Sequence, residues 1–434
     1  MNKIIYLFVI LLFFSACSFN KNSKFWTKTK TLKSENDINY EEIFPTEESL
    51  KKEFNSNLQL KLSSKKLSNS TKNDHLNNDG RINFDGNLKK SSRFRFSKIR
   101  NFNQYQPEIS FQKNSIIFFD NKGTILRFND ESKLIWKKNY YSKSQKKLNP
   151  ILQFANNEKN LVVADNIAKY YMLDVKSGKL KWSKNNLAPF NSQIKIYKDK
   201  FFIIDFSNTL RCFSLKDGTQ IWEVKTENSL IRSQQRLSMV IVGENIYFNN
   251  SVGDISAVNI KKGELLWQLP TQSSLIYESA FSLQNSDIIS DKKSLFFSNN
   301  KNQIFSIDLE TGSLNWKNKI NSNLRSTIID NFLITISIEG YLIVTEKNSG
   351  NIVRVTDIFQ KFKKKKRSYI KPTGFIIGLK KIYLSTSNGR LLVIDISSGK
   401  TISILKIDNE KVSKPYVQNK NLFLIKNNGI IKLN

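Results

Sequence analysis

Between Ser115 and the last residue one short pattern recurs: an apolar strand, a tight polar turn holding Gly or Asn, and a second apolar strand. The first strands of successive copies begin near Ser115, Leu161, Phe201, Asn245, Ser294, Phe332, Lys381 and Asn421, spaced 38 to 49 residues apart. Short β-branched and aromatic runs bounded by Gly, Asn, Asp and Ser are hairpin signals. Several strands per unit of about 40–50 residues is the signature of a β-propeller. Long helical periodicity is absent. The expected fold is therefore all-β: an eight-bladed β-propeller with four-stranded antiparallel blades over residues 73–434.

A second turn within each unit sharpens this reading. It runs from Asp174 through Gly178 to Trp182, then through Gly218 to Trp222, Gly263 to Trp267, and from Asp308 through Gly312 to Trp316. Gly350 and Gly399 keep the turn without the tryptophan, and the first unit has Trp136 with Ser132 at the glycine position. Gly supplies the positive φ of a tight turn, and Asp accepts hydrogen bonds from turn amides. A Trp four residues after the glycine, on an outermost strand, can fill the gap between wedge-shaped blades. Tryptophans in register across successive units point to structure rather than to a ligand site.

The eighth unit ends at Ile430-Ile431-Lys432-Leu433, before any outer strand. An open edge would leave backbone groups unpaired. Arg93 to Ile99 alternates polar and apolar residues ahead of the first full blade. This segment is expected to complete the last blade, so that N- and C-terminal strands close the ring.

The N-terminal segment carries a different signal. Lys3 precedes an apolar run, Ile4 to Phe14, that is short for a membrane span, followed by Phe14-Ser15-Ala16-Cys17. Small residues directly before a cysteine resemble the bacterial lipobox. The reading is a lipoprotein signal peptide over residues 1–16, with Cys17 acylated (palmitate and related chains) as the new N-terminus; an uncleaved anchor is the alternative. Ser18 in place of Asp favours outer-membrane sorting by the same resemblance. Residues 17–72 read as a polar tether with one short helix over Pro45–Phe54.

Formal charge is +32, which invites a nucleic-acid reading. Lysine is nevertheless spread through predicted turns and no nucleic-acid motif appears, so no nucleic-acid partner is expected. The densest run, Lys361 and Lys363 to Arg367, falls in an inter-blade loop. It reads as a solvated charge run, or as a contact for phosphorylated headgroups or an acidic partner. His75 is the single histidine, which excludes Ser-His-Asp or Cys-His catalysis within the ring and any multi-histidine metal site. With Cys17 acylated, Cys212 has no disulfide partner and reads as a buried thiol. No catalytic residue, metal site or cofactor is expected.

The repeated turn, Asp-x-x-[Ser/Thr]-Gly-x-x-x-Trp, resembles the pyrroloquinoline-quinone-type propeller repeat. Joined to a lipobox, it is similar to the BamB family of lipoproteins of the outer-membrane β-barrel assembly machine. The resemblance covers about residues 73–434 and implies a non-enzymatic scaffold without quinone. It implies lipid anchoring at the periplasmic face of the outer membrane. The implied partners are the POTRA domains of a BamA-like barrel subunit and unfolded outer-membrane proteins. The family's partner loops map onto Leu230 and Arg232 in one loop, and onto Asn285 and Asp287 in the next unit, with Asn285 replacing an expected Asp. Two other functions fit the same ring: a quinoprotein dehydrogenase, and a lipid-anchored binder of cell-envelope polymer.

Overall fold

The computed structural model describes residues 50, 52–63, 80–100, 102, 107–226, 233–272 and 282–434. Cys17, His75, Leu230 and Arg232 lie outside the described residues. The described chain forms eight four-stranded antiparallel sheets, each an up-and-down meander, arranged as the blades of a propeller. Blade 1, for example, consists of Ser110–Gln112, Ser115–Phe119, Ile125–Asn129 and Leu134–Lys138, from the axis outward.

The second and third strands of each blade are apolar on both faces, because each blade is sandwiched between two others. Ser115–Phe119 is buried at every position, as is nearly all of Lys381–Thr386. This explains their continuous runs of Ile, Leu, Val and Phe rather than a two-residue alternation. The strands taken from sequence as the first of each unit prove to be the second. Short innermost strands precede them, such as Lys195–Tyr197 and Ile289–Ser290. Six of the eight are only two to four residues long, too short to stand out from turns in sequence.

The glycine–tryptophan spacing acquires a geometric cause. In blades 1–7 the pairing of the third and fourth strands slips by one residue, always just before the Trp position. In blade 3, Cys212 pairs with Trp222 but Phe213 pairs with Gln220, which leaves Ile221 as the extra residue of a β-bulge. The bulge turns that residue outward, where Ile221 is 45% exposed, and aims the indole at the next blade.

There it meets a glycine. A Cβ on Gly312 would lie 2.5 Å from the Trp267 ring, and one on Gly263 would lie 2.7 Å from Trp222. Trp136, Trp182 and Trp316 stand in the same way against Gly178, Gly218 and Gly350. The indole N–H then donates to a carbonyl of the same turn, three residues before the glycine: Trp182 to Leu215 at 3.1 Å, Trp222 to Ile260 at 3.1 Å, Trp267 to Leu309 at 3.3 Å and Trp316 to Lys347 at 2.9 Å. Gly312 has φ of +73°, as its turn requires, and Ser132 takes +67° at the equivalent place in blade 1.

The ring closes as expected. Arg93, Phe94 and Arg95 of strand Lys90–Arg95 pair with Ile431, Ile430 and Gly429, supplying the outer strand of blade 8. Phe94 is fully buried, edge-on to Phe128 of blade 1 at 5.6 Å. Beyond Arg95 the chain leaves the strand but stays on the blade, with the Ile99 amide donating to Asn427 at 2.8 Å.

The polar-tether expectation needs correction over 52–63, which lie along the outside of blades 6 and 7. No helix reaches Phe54; instead Phe54 and Val355 exchange backbone hydrogen bonds of 3.1 and 2.8 Å. The Leu60 amide donates to Ser397 at 3.1 Å. The reason is Arg354, which occupies the tryptophan position of blade 6, four residues after Gly350. Its guanidinium stacks on Gly399 and donates to Ile396 at 3.2 Å, as the indoles do in other blades. It has donors to spare, and these go to Ser397 and, at 2.9 Å, to Leu58 of the strap. Burial lowers its pKa to about 10, with Asp395 countering part of that effect. We expect Arg354→Ala to release the strap while the blades persist. Limited proteolysis should then cut after Lys61 far faster than in the wild type; unchanged resistance would show that Arg354 does not hold the segment.

Candidate functional site

Chemistry-bearing side chains converge at one end of the propeller axis. They sit two or three residues ahead of innermost strands, where each chain enters its blade. Glu108 precedes Ser110–Gln112, Arg236 precedes Met239–Val242, Asp287 precedes Ile289–Ser290, Arg325 precedes Thr327–Ile329, and Lys414 precedes Tyr416–Gln418. Together they line a cavity of about 700 Å³.

Four of them form a closed ring of alternating charge. Arg236 Nη1 lies 2.8 Å from Glu108 Oε2, and its Nη2 lies 3.5 Å from Asp287 Oδ1. Lys414 Nζ lies 2.5 Å from Glu108 Oε1 and 3.6 Å from Asp287 Oδ2. Burial alone would raise both carboxyls. The two cations outweigh it, holding Glu108 well below the ordinary carboxylate range and Asp287 below it also. Arg236 is correspondingly shifted up by Glu108 and Asp287 against the cost of its burial. Blades 1, 4, 5 and 8 are thereby tied across the axis.

Of the two residues taken from sequence as loop contacts, Asp287 is therefore placed in the cavity wall, while Asn285 is not part of its lining. Asn285 is buried, bridges to Asn299, and accepts Gln235 Nε2 on its carbonyl at 2.6 Å. Ser233, the residue after Arg232, donates through Oγ to Leu283 at 2.7 Å. Ser233 and Gln235 of blade 4 thus adjoin Leu283 and Asn285 of blade 5. The basic run is an exposed turn of helix, Lys364–Arg367, between blades 6 and 7. Arg367 turns back to Asp357 at 2.7 Å and to the Gln360 and Phe362 carbonyls, leaving Lys363 to Lys366 in solvent. Cys212 is buried between strands, which pushes its thiol up to about 12. Among the described residues no group of three or more His, Cys, Asp or Glu is placed to hold a metal.

With this geometry in view, residues 121–356 match the family described as "Outer membrane protein assembly factor BamB". The chain belongs to that family. BamB of Moraxella catarrhalis superposes with a TM-score of 0.64 at 16% identity, over 80% of this chain and 99% of that one. The quinohemoprotein alcohol dehydrogenase of Comamonas testosteroni gives 0.63 at 8% identity, over 82% of this chain and 78% of that one. At such identities the likeness is one of fold. No curated protein matches the sequence.

Sequence reasoning missed Glu108, Arg236, Arg325 and Lys414. The available signal was a charged residue recurring two or three positions ahead of five innermost strands, invisible while those strands read as turns. The ring makes a pH-dependent claim. A carboxyl whose folded pKa is depressed stabilises the fold above its unfolded pKa and ceases to do so as pH falls through the folded value. Glu108→Gln should cost about 3–5 kcal/mol at neutral pH by leaving buried cations unpaired. In urea titrations that gap should shrink as pH falls below about 4; a gap independent of pH would contradict the ring.

Proposed function

We propose that this chain is a non-enzymatic docking scaffold in the assembly of outer-membrane β-barrel proteins. In this reading it is acylated on Cys17 and held at the periplasmic face of the outer membrane. It contacts the POTRA domains of a BamA-like barrel subunit and assists delivery of unfolded clients. Membership of the BamB family supports the class of function. The observation that carries the docking site is the junction of blades 4 and 5, where Ser233 and Gln235 bond to Leu283 and Asn285. To Asn285 and Asp287 at that junction the reading adds Leu230 and Arg232, on the family's partner-loop pattern alone. Asp287 contributes from behind by fixing Arg236, while Arg232 supplies an interface anchor of the kind enriched at protein contacts.

A quinoprotein dehydrogenase is the second reading, favoured by the superposition on quinohemoprotein alcohol dehydrogenase. Against it stands the state of the two axial carboxylates: both are engaged by Arg236 and Lys414, so a divalent cation would have to displace them.

Affinity purification from detergent-solubilised envelopes tests the scaffold reading. The wild type should bring down a POTRA-bearing barrel protein, and Arg232→Glu should lower its recovery by about tenfold without altering the fold. Recovery only in complexes lacking the barrel protein would remove the proposal, and a tightly held quinone in the absorption spectrum would replace it.

A further inference from the structure

The charge ring leaves Arg325, a further cation of the cavity, outside it. Lys195, Lys371 and Lys411 join Arg236, Arg325 and Lys414 in the cavity lining, six cations against the two carboxylates of Glu108 and Asp287. Both carboxylates are already shared between Arg236 and Lys414. Arg325 stands near enough to feel their field, yet it has no hydrogen-bond or ion-pair partner among the described residues, and its Nε is buried with no acceptor. A buried N–H left without an acceptor is costly, and a protein keeps such a group where something else supplies the partner.

The surroundings define what could do so. The guanidinium is a planar fork that pairs two N–H groups with two oxygens of a carboxylate or phosphate. The cavity volume, about 700 Å³, falls in the range of small-molecule sites. Across the axis from Arg325, blades 2 and 3 contribute the side chains of Gln153 and Gln193, uncharged groups able to donate to and accept from hydroxyls.

We propose that the axial cavity binds a small hydroxylated oxyanion, with Arg325 clasping the anionic group and the Glu108–Arg236–Asp287–Lys414 ring acting as a rigid neutral wall beside it. This does not depend on the docking reading, since the cavity wall and not the outer loops provides the contacts. The anionic group is carboxylate or phosphate, and gluconate and glucose 6-phosphate represent the two.

Isothermal titration of the full-length protein with each probe tests this. At least one should bind with one-to-one stoichiometry. Arg325→Gln should weaken it by about tenfold or more, and Arg325→Lys, which keeps charge and loses the fork, should fall between. Replacing Lys364, Lys365 and Lys366 together by Gln should leave binding unchanged, which separates the site from the general attraction of a basic protein. Arg325→Gln should also unfold at a midpoint no lower than the wild type, because Arg325 is only half-buried and has no bond to the described residues for the fold to lose. Absence of saturable binding by both probes, equal affinity in Arg325→Gln, loss of binding in the triple lysine variant, or a lower Arg325→Gln midpoint would each overturn the proposal.

Discussion

Each of the first five blades hands the next a flat indole, and the next meets it with a glycine that has no side chain to obstruct it. That contact sets the distance between wedges, since a Cβ at Gly312 or Gly263 would stand inside the ring of Trp267 or Trp222. The indole N–H, bonded to a carbonyl within the same turn, fixes its rotation as well. The apolar strands inside are then pressed face to face, and their burial follows from a spacing decided at the periphery. Five such contacts run from Trp136 through Trp316. Where the series lapses, the molecule substitutes other parts: Arg354 for an indole, and a strap of backbone for the surface an indole would have covered.

The same logic explains why the ring must be closed covalently distant but spatially adjacent ends. Blade 8 takes three strands from the end of the chain and its outer strand from Lys90–Arg95. Phe94 then packs against Phe128 of blade 1 and lies within 6.2 Å of Phe423 in its own blade. Inside the closed ring, the points where chains enter their blades face a common axis. Charged residues at those points have no choice but to meet, and Glu108, Arg236, Asp287 and Lys414 resolve the encounter by alternating in sign.

Much of this was readable from residues alone. The second and third strands, the glycine turns, the Trp register and the closing strand all rest on local rules: apolar runs, positive φ, and a repeat counted along the chain. The β-bulge was not readable, because the three residues between Gly312 and Trp316 look the same whether or not one is unpaired. Arg354 escaped notice since an arginine on an outer strand normally points to solvent. The strap escaped for a related reason: its backbone, more than its side chains, makes the contacts, so its polar composition resembles that of a tether. The axial charges were hidden by the brevity of the innermost strands, and their pairing joins residues as far apart as Glu108 and Lys414.

Closure of the ring by an early strand is the claim on which the blade count, the axial cavity and the burial of the last blade all depend. Ser92 and Lys432 are cross-strand partners, and paired antiparallel residues place their Cα atoms about 4.5–5.5 Å apart, within disulfide reach. Cysteines at both positions, in a Cys17→Ala chain whose Cys212 thiol is buried, should be joined by mild oxidation into a disulfide within one chain and raise the unfolding midpoint. Failure to oxidise, or disulfides formed only between chains, would contradict the account.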